Sequence, residues 1–426
     1  MMQVILAFEY LNLKNKYIRM NRNKLDVLFL IPHPFYQDRG SPIADEMVLR
    51  VLSERGNEVD VVTYSEGKDI RYDNINLYRT INLPWVNNVS PGFSWKKLIY
   101  DFLMLIEAIR LASKKKYNLV HAVEESVFMA LLLKLLFQIP YLYDMDSSLA
   151  QQMVEKYPFV SRFKIVLNYL EKLAVKNAKA VIPVCKTLAD DIAIYRPKKV
   201  AVLPDVSLLN SEKDKHQENL KSNLNISNLM LMYVGNLESY QGIDLLLESF
   251  YFALQETEKL DLVIVGGKSS DIKKNQEKAN QLNIGKRVHF LGTKTVNSLK
   301  SYLSQADILL SPRTKGKNTP MKIYSYLDSG QPVLATDIPS HNQVLDRKVA
   351  MLCQPTPEEF SKGINSLVRD KDLRLKLGTE GRKLVQENHS YSAFRKQLNS
   401  LYDWVSSETF PPSDVVIGKS NYKSMP

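Results

Sequence analysis

Residues 311–336 of this chain read SPRTKGKNTPMKIYSYLDSGQPVLAT, and their pattern shows how the whole chain is built. Before them, the apolar residues 306–310 predict a strand, which ends in a basic loop of small residues at 313–319. Pro320 then opens an amphipathic helix, and Gly330 ends it before the next strand. A strand that leads through a cationic loop to a helix N-terminus predicts a binding site for an anion such as phosphate.

The same alternation of strand, loop and helix runs through the chain on both sides of this stretch. Residues 25–31 (LDVLFLI) form a continuous apolar run, which is typical of a strand buried in a parallel sheet. The alternation continues to residue 203, fails across the polar segment 205–227 and resumes at residue 229. Strands that alternate with helices predict parallel sheets covered on both faces. The sequence therefore predicts an α/β fold of two facing, Rossmann-like, doubly wound domains.

The predicted domain boundaries follow from these changes of pattern. The N-terminal extension lacks the basic start of a secretion signal, and Met20 is an alternative start because the folded pattern begins only at Leu25. The apolar run 127–139 is too short to cross a bilayer and is predicted to be a buried helix. The predicted segments are an extension at 1–24, a first domain at 25–205, a linker at 206–227, a second domain at 228–390, a helix at 391–406 and a flexible tail at 407–426.

Composition narrows the class of protein and of partner. The chain has 426 residues, of which 45% are hydrophobic and 24% charged, and its net charge is +11. This composition is typical of a globular protein, and the positive net charge favours an anionic partner, namely a nucleotide phosphate, nucleic acid or an acidic membrane face. It is equally compatible with a basic protein that has no anionic partner. Cys185 and Cys353 lie far apart and predict neither a disulfide framework nor a metal site, which favours a reducing compartment.

Ligands of open α/β sheets lie beyond the carboxyl ends of the strands. The loops at 32–41, 121–126 and 235–242 are therefore expected to meet the 311–336 stretch in one interdomain cleft. Gly40, at the end of the first loop, would let main-chain amides approach a phosphate, or it simply marks a turn from strand to helix. No G-x-G-x-x-G sequence follows a strand, which argues against a nicotinamide or flavin enzyme.

A histidine and several carboxylates also follow predicted strands. His121 and Glu124 are placed to contact a ligand or transfer a proton, although His121 would equally serve to cap its strand. Asp144 and Asp146 form a D-x-D pair, and two carboxylates at this spacing could chelate a divalent cation. No third ligand is near in sequence, and Asp146 begins a helix N-cap pattern, so we predict no metal there. Asp144 or Asp146 is instead expected to hold ligand hydroxyls or its own loop. The basic residues 114–116 are either a solvated helix end or a contact to anionic lipid.

Four segments of the second half carry a specific pattern: YVGNLESYQGIDLLLESF at 233–250, LVIVGG at 262–267, RVHFLGT at 287–293 and ADILLSPR through SGQPVLAT at 306–336. Together they resemble the family 4 glycosyltransferases, which have the GT-B fold. The first half agrees more loosely, through residues 25–64, VHAVEES at 120–126 and YLYDMDSS at 141–148. The resemblance covers about residues 25–405.

The resemblance implies a retaining hexosyltransferase that takes its sugar from a nucleotide diphosphate donor and needs no metal or other cofactor. It places the donor mostly on the second domain, a glycan or lipid-linked acceptor on the first, and the helix at 391–406 across the first domain. The expected location is cytoplasmic, with peripheral contact to an anionic inner membrane face as a further candidate. Nucleic acid is not expected, because the basic residues are dispersed. Two alternatives remain, a non-catalytic sugar-nucleotide-binding or scaffold subunit of a glycan assembly complex and a nucleotide-sugar epimerase of the same fold.

The charged residues of the donor loops depart from the family pattern. Asn236 and Gln241 stand where the family usually has an arginine and a lysine that clamp the diphosphate. Lys317 and Ser325 stand where it commonly has a pair of glutamates. Two interpretations compete: a degenerate, non-catalytic member, or a subgroup whose cations have moved to the segment 313–322. We favour the second interpretation, because this segment restores positive charge to the same cleft.

The expected site residues combine the family pattern with these departures. Arg313, Lys317 and Lys322 are expected to hold the diphosphate, while Asn236 and Gln241 donate hydrogen bonds to phosphate or sugar oxygens. Catalytic roles are expected for His121, Glu124 and Asp144. The full donor-binding set is Gly40, Ser41, Asn236, Gln241, Gly242, Gly266, Arg313, Lys317, Thr319, Met321, Lys322 and Ser325.

Overall fold

The computed structural model describes residues 24–37, 40–86, 89, 94–209 and 219–411. The predicted N-terminal extension up to residue 23, the middle of the predicted linker and residues 412–426 of the predicted tail lie outside the described residues. Among the described residues, no helix combines the length and the apolar character needed to cross a membrane.

The first half of the chain forms one parallel sheet with helices on both faces. Its strands are β1 (Asp26–Ile31), β2 (Glu58–Thr63), β3 (Ile75–Arg79), β4 (Leu119–Val123), β5 (Tyr141–Met145) and β6 (Ala180–Pro183). Its helices are α1 (Gly40–Glu54), α2 (Trp95–Lys114), α3 (Val127–Phe137), α4 (Leu149–Lys156), α5 (Lys164–Asn177) and α6 (Lys186–Ile192). The described strands lie in the order β3-β2-β1-β4-β5-β6, and each neighbouring pair is parallel.

The second half repeats this arrangement. Its strands are β7 (Leu229–Val234), β8 (Leu260–Val265), β9 (Val288–Gly292), β10 (Ile308–Ser311), β11 (Val333–Thr336) and β12 (Met351–Cys353). Its helices, with the last one of the chain, are α7 (Leu220–Asn223), α8 (Ile243–Glu256), α9 (Ser269–Gln281), α10 (Leu299–Leu303), α11 (Lys322–Asp328), α12 (Pro339–Asn342), α13 (Pro357–Arg369), α14 (Lys371–Asn388) and α15 (Tyr391–Thr409). The described strands lie in the order β12-β11-β10-β7-β8-β9.

Both sheets therefore share the doubly wound order, in which the chain starts in the middle, moves to one edge and returns to fill the other. The predicted fold class, two Rossmann-like α/β domains, is confirmed. The order reverses between β1 and β4 in the first sheet and between β7 and β10 in the second. Loops that follow these strands separate at the reversal, and the crevice between them is where such folds bind ligands.

Two layers of helices bury the first sheet. α2, α3 and α5 pack on one face, around buried residues such as Tyr100, Leu133 and Val175. α1 covers the other face together with α15, whose Leu398 and Tyr402 are buried in the same cluster as Phe29 of β1. The last helix of the chain therefore lies against the first domain, as the family resemblance implied.

Three local predictions need correction. The strand predicted at 199–203 is reduced to a single bridge between Val181 and Val200, because Pro183 of β6 has no N–H to continue the ladder. α4 was indicated only by the N-cap pattern that begins at Asp146; its N-cap is Ser148, whose hydroxyl accepts a hydrogen bond from the Gln151 N–H. The helix after Pro320 begins only at Lys322, after a tight turn.

The apolar run at 127–139 is a helix, but the prediction that it is buried is wrong. Only one side of α3 packs on the sheet, through Met129 and Leu133, while Leu135 and Leu136 are exposed. The basic residues at 114–116 also differ from expectation, because Lys115 forms ion pairs with Asp26 and Asp60.

Candidate functional site

Loops from both domains enclose a cavity of about 650 Å³ beyond the carboxyl ends of the strands. Its walls come from the start of α1, the segment after β5 and the loops after β7, β8, β9 and β10. It thus lies at the reversals of strand order in both sheets. Of the residues predicted for the site, those that line it are Gly40, Ser41, Asn236, Gln241, Gly266, Arg313, Thr319, Met321, Lys322 and Ser325.

Two glycines allow the loops of the second domain to pack backbone against backbone. Gly242 has a φ of 75°, and a Cβ there would lie 1.9 Å from the carbonyl oxygen of Pro312. Gly266 has a φ of 111°, and its Cβ would lie 2.1 Å from the carbonyl oxygen of Gly235. A side chain at either position would push the loops apart. Gly242 does not line the cavity, but its close contact brings the loop after β7 against the basic loop after β10.

Lys322 extends from α11 into the wall of the cavity and reaches the loop after β7. Its Nζ donates a hydrogen bond to Gln241 Oε1 at 2.9 Å and lies 4.1 Å from the centre of the Tyr233 ring. No carboxylate pairs with it among the residues that the structure describes. Burial lowers the pKa of Lys322 well below its usual range, and the nearby Arg313 cation lowers it further. The Lys322 amine is thus held in place without a neutralising anion, in surroundings that favour its charged form only weakly.

Arg313 lies in the same wall and is also without a carboxylate partner in the described part of the chain. Its guanidinium donates to the main-chain carbonyls of Lys315, at 2.6 Å, and Asn318, at 3.1 Å. It stacks over Tyr240, with 5.3 Å between the guanidinium carbon and the ring centre. Burial lowers the pKa of Arg313 from its usual value. Arg313 and Lys322 are thus two desolvated basic groups in one cavity wall, and an anion bound between them would stabilise the charged form of both.

Lys317, predicted to share this role, lies elsewhere. Its Nζ pairs with Asp191 of the first domain at 2.9 Å, and it does not line the cavity. The next residue, Asn318, donates from its side-chain amide to the main-chain carbonyl of Asp146. The basic loop therefore holds the two domains together at one end and presents Arg313 to the cavity at the other.

The first domain contributes carboxylates to the opposite wall. Asp146 accepts a hydrogen bond from Ser41 Oγ at 2.7 Å. Burial, and then the nearby Asp144, raises the pKa of Asp146 to about 7. Burial likewise raises the pKa of Asp205 to about 8, with Asp146 as the next cause. A carboxyl group whose pKa is near neutral can both hold and accept a proton under ordinary conditions.

The three residues predicted to be catalytic do not line the cavity. His121 is fully buried: its Nδ1 lies 2.8 Å from Tyr402 Oη of α15, and its Nε2 lies 3.0 Å from Asp144 Oδ2. Its ring stacks on Phe29, with 4.4 Å between centres. Glu124 accepts hydrogen bonds from Ser147 Oγ. His121 and Asp144 thus connect the central strands of the first sheet to the last helix.

We expect Tyr402→Phe to lower the free energy of unfolding by about 1–3 kcal/mol, because it leaves the buried Nδ1 of His121 without its partner. Nucleotide binding at the cavity should be unchanged. Urea unfolding and a nucleotide titration measure the two effects. Tyr391→Phe, on the same helix, is the matched control, since its hydroxyl bonds to Glu54 at the exposed surface. Equal effects of the two changes on stability would contradict the structural role of His121.

Several residues of the cavity were not predicted to bind the donor. Tyr240 and Asn318 are neighbours of predicted residues, so proximity in sequence was the available signal. Asp205 sits at the end of the first domain, next to the predicted linker, where no motif marked it. Further charged residues of the cavity outside the predicted donor-binding set are Asp146, which was expected to hold a ligand hydroxyl or its own loop, Glu238, Lys268, Asp271 and Lys294. Among the described residues, no group of three or more His, Cys, Asp or Glu side chains is arranged to hold a metal ion.

Comparison with protein families gives two matches along the chain. Residues 213–384 match the family described as glycosyl transferases group 1, and residues 46–205 match the one described as glycosyltransferase family 4. A similar sequence is an uncharacterized glycosyltransferase, MJ1069, of Methanocaldococcus jannaschii. It is 20% identical over 79% of this chain and 86% of its own length. The two family matches together span most of both domains.

Solved structures with the same fold cover both domains as well. Sucrose-phosphate synthase from Thermosynechococcus elongatus superposes with a TM-score of 0.72 at 18% identity, over 90% of this chain and 100% of that one. The Anabaena protein HepE, solved in complex with UDP-glucose, superposes with a TM-score of 0.66 at 14% identity, over 88% of this chain and 99% of that one. At these identities the likeness shows the fold alone.

Proposed function

Because this chain belongs to the family 4 glycosyltransferases and has their GT-B fold, we propose that it transfers a hexose from a nucleotide diphosphate sugar to a glycan or lipid-linked acceptor, with retention of configuration. The UDP-glucose bound to the Anabaena protein supports this class of donor. The reaction proposed here uses no metal, since protein cations take the role of neutralising the diphosphate.

The observation that carries the proposal is the pair of basic side chains, Arg313 and Lys322, facing the cavity without carboxylate partners among the described residues. They lie beside Gln241 and Asn236, the positions where the family's clamp usually stands. A phosphate about 4 Å from one cation gains roughly 4 kcal/mol at the effective dielectric of a protein surface. Relocated cations are therefore a sufficient replacement for the missing clamp, which favours a working site over a degenerate one.

The shape of the cavity suggests how the donor lies in it. With the diphosphate between Arg313 and Lys322, the cavity continues along the ends of β8 and β9, past Gly266 and Lys294. Adjacent strands are about 4.8 Å apart, so the path from β7 across β8 to β9 covers two spacings, roughly 10 Å, which leaves room for a nucleoside. The sugar then faces the opposite direction, towards Thr319 and the first domain. Positive charge at the diphosphate would stabilise the negative charge that develops as the nucleotide leaves.

Asp146 is the residue that we assign to the acceptor hydroxyl. It lies in the first-domain wall, and Ser41 fixes its carboxylate. With a pKa near 7, it would accept a hydrogen bond or a proton from a hydroxyl that attacks the sugar. His121 and Asp144 lie behind it and would act by positioning the strand ends.

A panel of nucleotide diphosphate sugars tests the proposal. A donor that binds only the folded state raises the melting temperature, so one member of the panel should produce a concentration-dependent shift. Donor consumption is then followed with and without candidate acceptors. Turnover that requires an acceptor supports transfer, whereas an epimer formed without an acceptor would identify an isomerase. Binding without turnover over a broad range of acceptors would favour a non-catalytic subunit.

Donor binding is expected to take up protons. The pKa of Lys322 is lowered in the free protein, and a neighbouring phosphate would raise it again. The diphosphate of a nucleotide sugar is esterified at both ends and does not titrate near neutral pH, so the uptake reports on the protein. Affinity should consequently increase as the pH falls towards the free-protein pKa of Lys322. Calorimetry in buffers of different ionisation enthalpy measures the uptake, and proton release on binding would contradict it.

A further inference from the structure

Three neighbouring helices of the first domain carry apolar side chains on the side that faces away from the sheet. α2 packs beside α3, and α3 beside α5. Phe102 of α2 is 63% exposed, Leu135 of α3 is 68% exposed and Ile165 of α5 is 84% exposed. Phe163, just before α5, is 59% exposed. We call the outer side of α2, α3, α5 and the turn Pro158–Phe163 the helical face.

The apolar residues of this face are not needed for the core. α2 already buries Tyr100, Met104 and Ala108 against the sheet. A second apolar stripe runs along its outer side, where Trp95 and Phe102 are spaced two helical turns apart. Scattered exposed apolar residues are ordinary, but a continuous surface over three helices is typical of an interaction site.

The charges of the helical face indicate an anionic partner. The helical segments of this face, residues 95–114, 127–137 and 158–177, contain nine basic side chains and three acidic ones. Each acidic side chain has a partner within the domain: Asp101 accepts a hydrogen bond from Tyr64, Glu107 pairs with Arg110, and the buried Glu171 accepts from Ser148 Oγ at 2.9 Å. Lys164 and Lys172 are exposed. A second copy of the chain would place like charges opposite each other, which disfavours a symmetric dimer through this face.

We propose that the helical face docks this protein on an anionic phospholipid bilayer. Aromatic and aliphatic side chains enter the headgroup boundary, and the surrounding lysines contact lipid phosphates. The inference rests on the proposed glycosyltransferase function, because it specifies a lipid-linked molecule as the acceptor. Ser148 connects the two sites, because it bonds to Glu171 of α5 and lies two residues after Asp146 of the cavity. A bilayer on the helical face would therefore hold the acceptor near the acceptor side of the cavity.

Flotation with vesicles of phosphatidylcholine, with and without phosphatidylglycerol, tests this docking. The parent protein should float with the anionic vesicles and much less with the neutral ones. The double variant Phe163→Glu and Ile165→Glu should lose at least about tenfold in vesicle affinity, since two apolar contacts become charges that anionic lipid repels. Leu375→Glu, at a position on α14 of the second domain that is 60% exposed, is the matched control and should float like the parent.

A charge variant keeps the test valid if the apolar variant fails to fold. Lys164→Gln with Lys172→Gln should weaken binding by about fivefold for each lysine removed. The proposal is overturned if the parent binds neither vesicle, or if both variants float like the parent. It is also overturned if the parent is a dimer in solution that Phe163→Glu dissociates, which would make the face a protein interface. Each variant should show the same nucleotide-sugar thermal shift as the parent. If the parent shows no thermal shift with any nucleotide sugar, the proposed function is wrong, but the vesicle-binding result is unaffected.

Discussion

Replacing Lys322 by methionine is expected to reduce affinity for the nucleotide sugar by about 100-fold, the largest loss that we expect from one side chain in the donor site. Methionine keeps much of the apolar volume that packs near Tyr233 but removes the charge and the hydrogen bond to Gln241. Roughly 4 kcal/mol of attraction to a phosphate about 4 Å away would disappear, partly offset because a neutral side chain is cheaper to desolvate. Calorimetric titration with the donor found in the thermal-shift panel measures the loss.

The ligand-free Lys322→Met protein should be at least as stable as the parent. The parent side chain is a desolvated amine whose charged form has no carboxylate partner, so its removal relieves a cost in the folded state. Lys286→Met, at an exposed position of the second domain, controls for the loss of one positive charge and should bind the donor normally. Lys317→Met distinguishes the structural site from the one predicted from sequence, since its ammonium pairs with Asp191 instead of facing the cavity. Parent-like donor affinity in Lys322→Met would contradict the assignment of the diphosphate.

Asp146→Asn is expected to reduce kcat about 100-fold or more while leaving donor affinity nearly unchanged, in the range found for loss of a general acid or base. The asparagine can still accept the hydrogen bond from Ser41 but cannot take a proton. Steady-state turnover with a competent acceptor, together with a donor titration, separates the two effects.

The matched control for Asp146 is Asp101→Asn. Burial also raises the pKa of Asp101 to about 7, but its carboxylate accepts from Tyr64 Oη at 2.6 Å and does not line the cavity. Both aspartates have raised pKa values, so each lowers stability as the pH rises from the unfolded pKa towards about 7. Both asparagine variants should therefore gain stability at neutral pH, and only Asp146→Asn should lose turnover. Loss of turnover in both would show that the effect is not specific to the cavity.

The fold was largely predictable because its determinants are local. A continuous apolar run such as residues 26–31, followed by a loop and a helix that Gly56 ends, already identifies one strand–helix unit. Repetition of that unit determined the class. The features that could not be predicted depend on contacts between distant segments. Whether residues 199–203 would form a strand beside β6, for example, depended on Pro183 of β6. The burial of α3 likewise depended on whether anything covers its outer side.

The candidate site was predictable in part. The glycine loops and the basic segment after β10 were recognisable in sequence, and the structure brings most of them to one cavity. The expected catalytic roles were placed on His121, Glu124 and Asp144 because they stand at or just after predicted strand ends, whereas His121 and Asp144 lie within β4 and β5. Alternate side chains of a strand point to opposite faces, and the sequence does not say which face a residue such as His121 takes. Asp205 lies at the boundary of the predicted linker, and it comes near Asp146 because the chain leaving the first domain packs back on that domain's core through Leu203 and Val206.

The cavity has basic side chains even though Asn236 and Gln241 are neutral, because Arg313 and Lys322 come from other segments. Gln241 stands where a lysine is usual, and Lys322 reaches it from a different helix. We propose that Lys322 thereby takes over the role of that lysine from a different position in the sequence. This arrangement favours the relocated-charge interpretation that the sequence had left open.

A crystal structure of the protein with its nucleotide diphosphate sugar tests the central claim most directly. We expect the diphosphate between Arg313 and Lys322, with phosphate oxygens within hydrogen-bonding distance of the Lys322 ammonium and the sugar directed towards Asp146. A diphosphate bound away from both cations, or a sugar directed away from the first domain, would contradict the account.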